Sequence, residues 1–128
     1  MRGSFSAMPI PVTIADDSLM SRKAVRRALP EDWDVEITEA CNGKEALEAA
    51  NSGKAEVLFL DLTMPELDGF GVLKCLHEQQ SKTVVIVISA DIQPEAKLLV
   101  DSLGAFRFLQ KPLQPAQLRE ALFDVGLI

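Results

Sequence analysis

Cysteine is scarce. Cys41 and Cys75 are the two in the chain, and neither belongs to a Cys-x-x-Cys or Cys/His cluster. That argues against a disulfide scaffold and fits a reduced intracellular setting, with both residues expected as small core hydrophobes. No apolar stretch approaches membrane-spanning length and no signal peptide is recognisable, so a cytoplasmic chain is expected. Positive charge is also short. Thirteen Lys and Arg stand against 19 Asp and Glu, a net charge of −6, which argues against contact with nucleic acid or an anionic membrane. No Gly-x-Gly-x-x-Gly or Walker-type loop follows any apolar run, so nucleotide binding has little support.

What is present is a regular alternation. With 128 residues and 48% hydrophobic content, the chain is long enough for one domain that buries a core unaided. Met1 to Met8 reads as a vector-derived leader or a loose, disordered tail, leaving 9–128 as the folding unit. Val12 to Ala15 is a short apolar strand, and Ser18 to Leu29 a helix with Leu19, Val25, Ala28 and Leu29 near helical spacing. Asp34 to Ala40 alternates as a half-exposed strand does, and Lys44 to Ala50 is an alanine-rich helix closed by Asn51-Ser52-Gly53. Ala55 to Leu60 reads as a buried parallel strand, with a helix following from about Gly69 to Gln79. Thr83 to Ser89 is the most β-branched segment and is expected as a central strand. Pro94 opens a helix to Leu103 in which Ala96, Leu99, Val100 and Leu103 share a face, with Gly104 as its left-handed cap. Phe106 to Gln110 is a fifth strand, and Pro115 starts a last helix carrying Leu118 and Leu122. Five strand–helix pairs in succession imply an α/β fold, a parallel sheet with helices on both faces and right-handed crossovers.

Fold alone does not give function, so the strand ends must. Asp16-Asp17 follow the first strand, Asp61 the third and Lys111 the fifth, while Ser89 ends the fourth. A parallel sheet brings such ends to one edge, where open α/β proteins place their ligand crevice. Three carboxylates there repel, and a hard divalent cation resolves the conflict. Lys111 adds a point charge suited to a phosphoryl oxygen, and Ser89 a hydroxyl donor.

The motifs Ile14-Ala15-Asp16-Asp17-Ser18, Leu60-Asp61-Leu62-Thr63-Met64-Pro65 with Asp68-Gly69, Ile88-Ser89-Ala90 and Leu109-Gln110-Lys111-Pro112 resemble those of CheY-like receiver domains of two-component response regulators. The resemblance covers about residues 10 to 126. It implies a flavodoxin-like (βα)5 fold of three layers, with a five-stranded sheet in order 2-1-3-4-5. Asp61 would be the phosphoacceptor, served by a sensor histidine kinase or phosphotransfer protein. Asp17 would bind Mg²⁺ (or Mn²⁺) directly, Asp16 mostly through water, and Asp61 and the Thr63 backbone carbonyl would complete the protein ligands. Lys111 would pair with the phosphoryl group, Ser89 would swing to it, and Phe108 would rotate into the space vacated. Lys111-Pro112 would be a cis peptide. The family commonly carries tyrosine at position 108, so this switch keeps the ring and loses the hydroxyl. Thr63 and Asp91 stand where the family tunes the lifetime of the phosphoryl group. The output surface would run roughly from Pro94 to Val125, toward an output partner or a further domain, with no direct nucleic-acid or membrane contact.

Other assignments compete. Asp16-Asp17 can equally be a solvated loop or a helix cap. An aspartyl phosphohydrolase of the haloacid-dehalogenase type needs a second Asp where this chain has Thr63, and a degenerate docking receiver would not need the full acidic, hydroxyl and lysine set. His77 is expected at the surface, Trp33 as a packing residue, Met64 as a pocket wall, and Glu36 and Glu39 as solvated charge.

Overall fold

A computed structural model describes residues 9–91 and 93–128, so the expected leader lies outside the described residues. The elements are β1 (Ile10–Ala15), α1 (Leu19–Ala28), β2 (Val35–Ala40), α2 (Gly43–Asn51), β3 (Val57–Leu60), α3 (Gly69–Glu78), β4 (Val84–Ser89), α4 (Pro94–Ser102), β5 (Arg107–Gln110) and α5 (Pro115–Asp124). All pairings are parallel, in the order β2-β1-β3-β4-β5. The expected fold is therefore the one observed. Among the described residues, no helix is long and apolar enough to cross a membrane.

The sheet separates two cores. On one face Ile10, Val12, Ile14, Phe59, Ile86 and Ile88 pack against Val25 and Ala28 of α1 and Leu118 and Leu122 of α5. On the other, Leu58, Leu60, Val85 and Val87 meet Ala46 of α2, Val72, Leu73 and Leu76 of α3, and Val100 of α4. Burial on both faces explains why β3 and β4 read as unbroken apolar runs, whereas edge strand β2 alternates.

The helices begin where local chemistry directs. Ser18, Asn42 and Asp68 each accept an N–H from the first turn of their helix, and Pro94 and Pro115 open α4 and α5. Gly104 (φ +90°) ends α4 as expected.

Some expectations fail at the margins. Cys41 is exposed and Cys75 half-buried, so neither is a core residue: Cys41 lies just beyond the end of an edge strand, and Cys75 on the rim of α3. Leu19 is 52% exposed because the first turn of α1 overhangs the strand ends instead of the sheet. Leu99 is 45% exposed, since α4 buries only the Ala96–Val100 stripe. Trp33 packs against the first core as expected, with its indole N–H buried and without a hydrogen-bond partner among the described residues.

One close approach shapes the later site. A Cβ placed on Gly43 would lie 1.9 Å from the Leu67 carbonyl oxygen, so the start of α2 and the β3–α3 loop meet backbone to backbone. Gly43→Ala is expected to cost about 1–3 kcal/mol in urea denaturation. The accompanying amide chemical-shift changes should concentrate in residues 63–68.

Candidate functional site

The sheet ladder continues one residue past the strands, and that residue carries the chemistry. Asp16 N–H donates to Ala40 O at 3.0 Å, Asp61 N–H to Ala15 O at 3.0 Å, and Lys111 N–H to Ser89 O at 2.9 Å. Side chains distant in sequence are thereby held at a common edge. Carboxylate oxygens of Asp16, Asp17 and Asp61 all lie within 4.8 Å of one another. Asp16 and Asp61 are buried, at 5% and 6% exposure, while Asp17 is exposed.

Lys111 reaches into this cluster. Its Nζ is 2.8 Å from Asp16 Oδ2 and 3.6 Å from Asp61 Oδ1, and donates to Ser21 Oγ at 3.4 Å. Asp16 Oδ1 accepts the Ser18 N–H at 2.9 Å, so both oxygens of this buried carboxylate are engaged. The capping residue of α1 is thus Ser18, and the bland reading of Asp16 as solvated or as the cap itself fails. Burial, and then the charge of Asp16, push the Asp61 carboxyl above the usual aspartate range; Lys111 and the Leu62 N–H pull it back.

Ser89 is 1% exposed, and its Oγ accepts the Asp91 N–H at 3.1 Å, leaving the hydroxyl proton to donate elsewhere. Lys111–Pro112 is cis. Phe108 stands apart from the carboxylates. It is half-buried on β5 opposite Val87, with Lys97 Nζ 5.6 Å from its ring centroid. Val87 is two residues before Ser89, so Phe108 and Ser89 share one face of the sheet.

The loop after Asp61 is held at both ends. Gly69 N–H donates to Leu62 O at 2.9 Å, and Asn42 Nδ2 donates to Glu66 Oε2 at 2.8 Å, where Glu66 takes a left-handed φ of 67°. Thr63, with its side chain exposed, lies in this braced segment. Met64 is buried in the second core, and His77 is exposed.

Sequence reasoning missed the two ion pairs of Glu39. Glu39 is not free solvated charge: it accepts Arg22 Nε at 2.6 Å and Arg26 Nε at 3.2 Å. The hydrogen bond from Arg22 is the main reason its carboxyl lies below the usual glutamate range. A readable sign existed, since Arg22 falls with Val25 and Ala28 on the inward face of α1, where a charge needs a partner.

The profile of the response regulator receiver domain family matches residues 12–123. The chain belongs to that family. It is 32% identical to the chemotaxis protein CheY of Thermotoga maritima, over 90% of this chain and 96% of that one. It is 37% identical to protein-glutamate methylesterase/protein-glutamine glutaminase 5 of Myxococcus xanthus, over 92% of this chain. This receiver spans only 34% of that larger relative. Among solved structures, the REC domain of AraT, a response regulator from Geobacillus stearothermophilus, superposes with a TM-score of 0.80 at 34% identity, covering 92% of this chain and 93% of that one. Chemotaxis protein CheY4 of Vibrio cholerae gives 0.79 at 30%, covering 92% and 99%. The receiver is a signalling switch by family, and its acidic cluster is compatible with a hard divalent cation.

The raised Asp61 pKa sets a sign for stability. The folded receiver binds this proton more tightly than the unfolded chain, so the Asp61 contribution favours folding below the ordinary aspartate range. It is lost as pH rises through the raised value. Without divalent cation at neutral pH, Asp61→Asn should therefore be more stable than wild type. Denaturant titrations between about pH 3 and pH 8 should show that advantage shrinking toward the acid end.

Proposed function

We propose that this receiver accepts a phosphoryl group on Asp61 from the phosphohistidine of a sensor kinase or phosphotransfer protein, and that the modification alters the α4–β5–α5 surface. The observation that carries this reading is the convergence of Asp16, Asp17, Asp61 and Lys111 within a few ångströms at one sheet edge. A carboxylate oxygen of Asp61 attacks phosphorus as the phosphorus–nitrogen bond breaks. The acyl phosphate forms, and the donor imidazole leaves with its electron pair and takes a proton. Such a transfer needs positioning and charge neutralisation more than covalent chemistry from the protein.

The residues divide that work. Asp16, Asp17 and Asp61, with the Thr63 carbonyl in the braced loop, are the groups that would hold Mg²⁺. When bound, the cation neutralises charge on the phosphoryl oxygens. Lys111 lies beside Asp16 and Asp61, and would pair with a phosphoryl oxygen on Asp61. Ser89 supplies a proton donor from a buried position at the end of β4. Loss of the acyl phosphate to water, with Thr63 and Asp91 flanking the attack, would reset the switch.

Output through α4–β5–α5 is supported by what that face exposes. Leu98 of α4, Phe106 just before β5 and Phe123 of α5 are exposed, at 71%, 39% and 69%, and Arg107 Nη2 pairs with Asp124 Oδ2 at 2.9 Å between β5 and α5. A cleft of about 320 Å³ lies between Lys97, Phe108, Gln117 and Glu120, giving the Phe108 ring somewhere to leave from. Ser89 drawn toward the phosphoryl group would admit Phe108, so the charge added at Asp61 biases a two-state element.

Incubation with acetyl phosphate and Mg²⁺ should add one phosphoryl mass to wild type and none to Asp61→Asn. An equal adduct on both would remove Asp61 from its role. Ser89→Ala should still accept the group, while chemical shifts on α4, β5 and α5 move by less than half of the wild-type response.

A further inference from the structure

The acidic loop has an anchor outside the roles assigned so far. Arg22, at 9% exposure, is buried on α1 with its guanidinium directed at the end of β1. Its Nη1 donates to the backbone carbonyl oxygen of Asp16 at 2.7 Å, and its Nε to Glu39 Oε1 at 2.6 Å. Glu39 is gripped from a second side by Arg26 Nε at 3.2 Å. The two charged side chains hold each other in place, and a buried guanidinium so paired has little freedom to leave.

The Asp16 carbonyl belongs to the peptide plane that joins Asp16 to Asp17, and that plane is rigid. Holding its oxygen, together with the Asp16 N–H on Ala40 O, sets the direction in which the chain reaches Asp17. Asp16 is further restrained through both carboxylate oxygens, by Ser18 N–H and Lys111 Nζ. Asp17 is the exposed member of the triad, so its side chain takes its place from the backbone that carries it.

We propose that Arg22, locked by Glu39, is a positioning residue for divalent-cation binding, holding the Asp16–Asp17 peptide so that Asp17 and Asp61 offer oxygens to one ion. The proposal rests on the reading of the triad as a cation site. It gives the β2 edge, which carries no ligand, a direct part in metal affinity. Outer groups that orient ligands commonly influence affinity by about 10–100-fold.

The test is calorimetric titration of Mg²⁺ into the full chain for wild type, Arg22→Met, Arg22→Lys and Glu39→Gln, alongside circular dichroism and thermal melting. Arg22→Met should weaken Mg²⁺ binding about tenfold or more at temperatures where it remains folded. Arg22→Lys, which can reach one partner at a time, should fall between it and wild type. Glu39→Gln should weaken binding several-fold. Modification of Arg22→Met by acetyl phosphate should recover when Mg²⁺ is raised to saturation, which a damaged fold would not allow. A lower melting temperature with unchanged Mg²⁺ affinity would overturn the proposal, because Arg22 would then be structural alone. Should Arg22→Met not fold, wild-type affinity in Glu39→Gln overturns it equally. If wild type itself binds no Mg²⁺ at millimolar concentration, the cation reading of the triad falls and takes this proposal with it. Normal wild-type binding with insensitive variants removes only Arg22 and Glu39.

Discussion

Three carboxylates whose oxygens lie within 4.8 Å of one another, two of them buried, are held at the edge of an apolar sheet. Like charges so placed cannot all ionise cheaply unless positive charge lies among them. Much of the molecule is arranged around that constraint. Lys111 comes from the far end of the chain to meet Asp16 and Asp61, and Arg22 reaches the same loop from behind. Burial, and then the charge of Asp16, still hold the Asp61 carboxyl above its ordinary range.

The fold supplies the precision. Parallel pairing places the ends of β1, β3, β4 and β5 at one edge, and the ladder bonds that run past the strands hold Asp16, Asp61 and Lys111 in register. Backbone contact at Gly43 and the Asn42–Glu66 bond then fix the β3–α3 loop from the side. Ladder bonds and the braced β3–α3 loop lie beneath the carboxylates, whereas the face carrying Phe108 adjoins a cleft. Under the proposed function, a charge added at Asp61 would meet that braced base on one side and the Phe108 face on the other. That contrast is what a switch requires.

Most of this was legible in the sequence because its causes are local. Strands buried on both faces read as unbroken apolar runs, prolines mark helix starts, and the chemistry stands at strand ends where topology must gather it. The failures share a different cause. Cys41, Leu19 and Leu99 are exposed because of where element ends overhang or where a narrow helix presents its stripe, which composition does not reveal. Glu39 looked solvated because its partners, Arg22 and Arg26, lie on a helix across a chain reversal. The Gly43–Leu67 approach is likewise a tertiary contact between two loops, each ordinary by itself.

The proposed function requires Asp61 to be a buried carboxylate whose charge a cation balances. Carbon-13 detection of the aspartate carboxyl groups during a pH titration, with and without Mg²⁺, measures that directly. Asp61 is expected to titrate above the ordinary aspartate range without the cation, and to shift clearly downward when Mg²⁺ is present. A carboxyl that titrates in the ordinary range, and that Mg²⁺ leaves unmoved, would contradict that requirement.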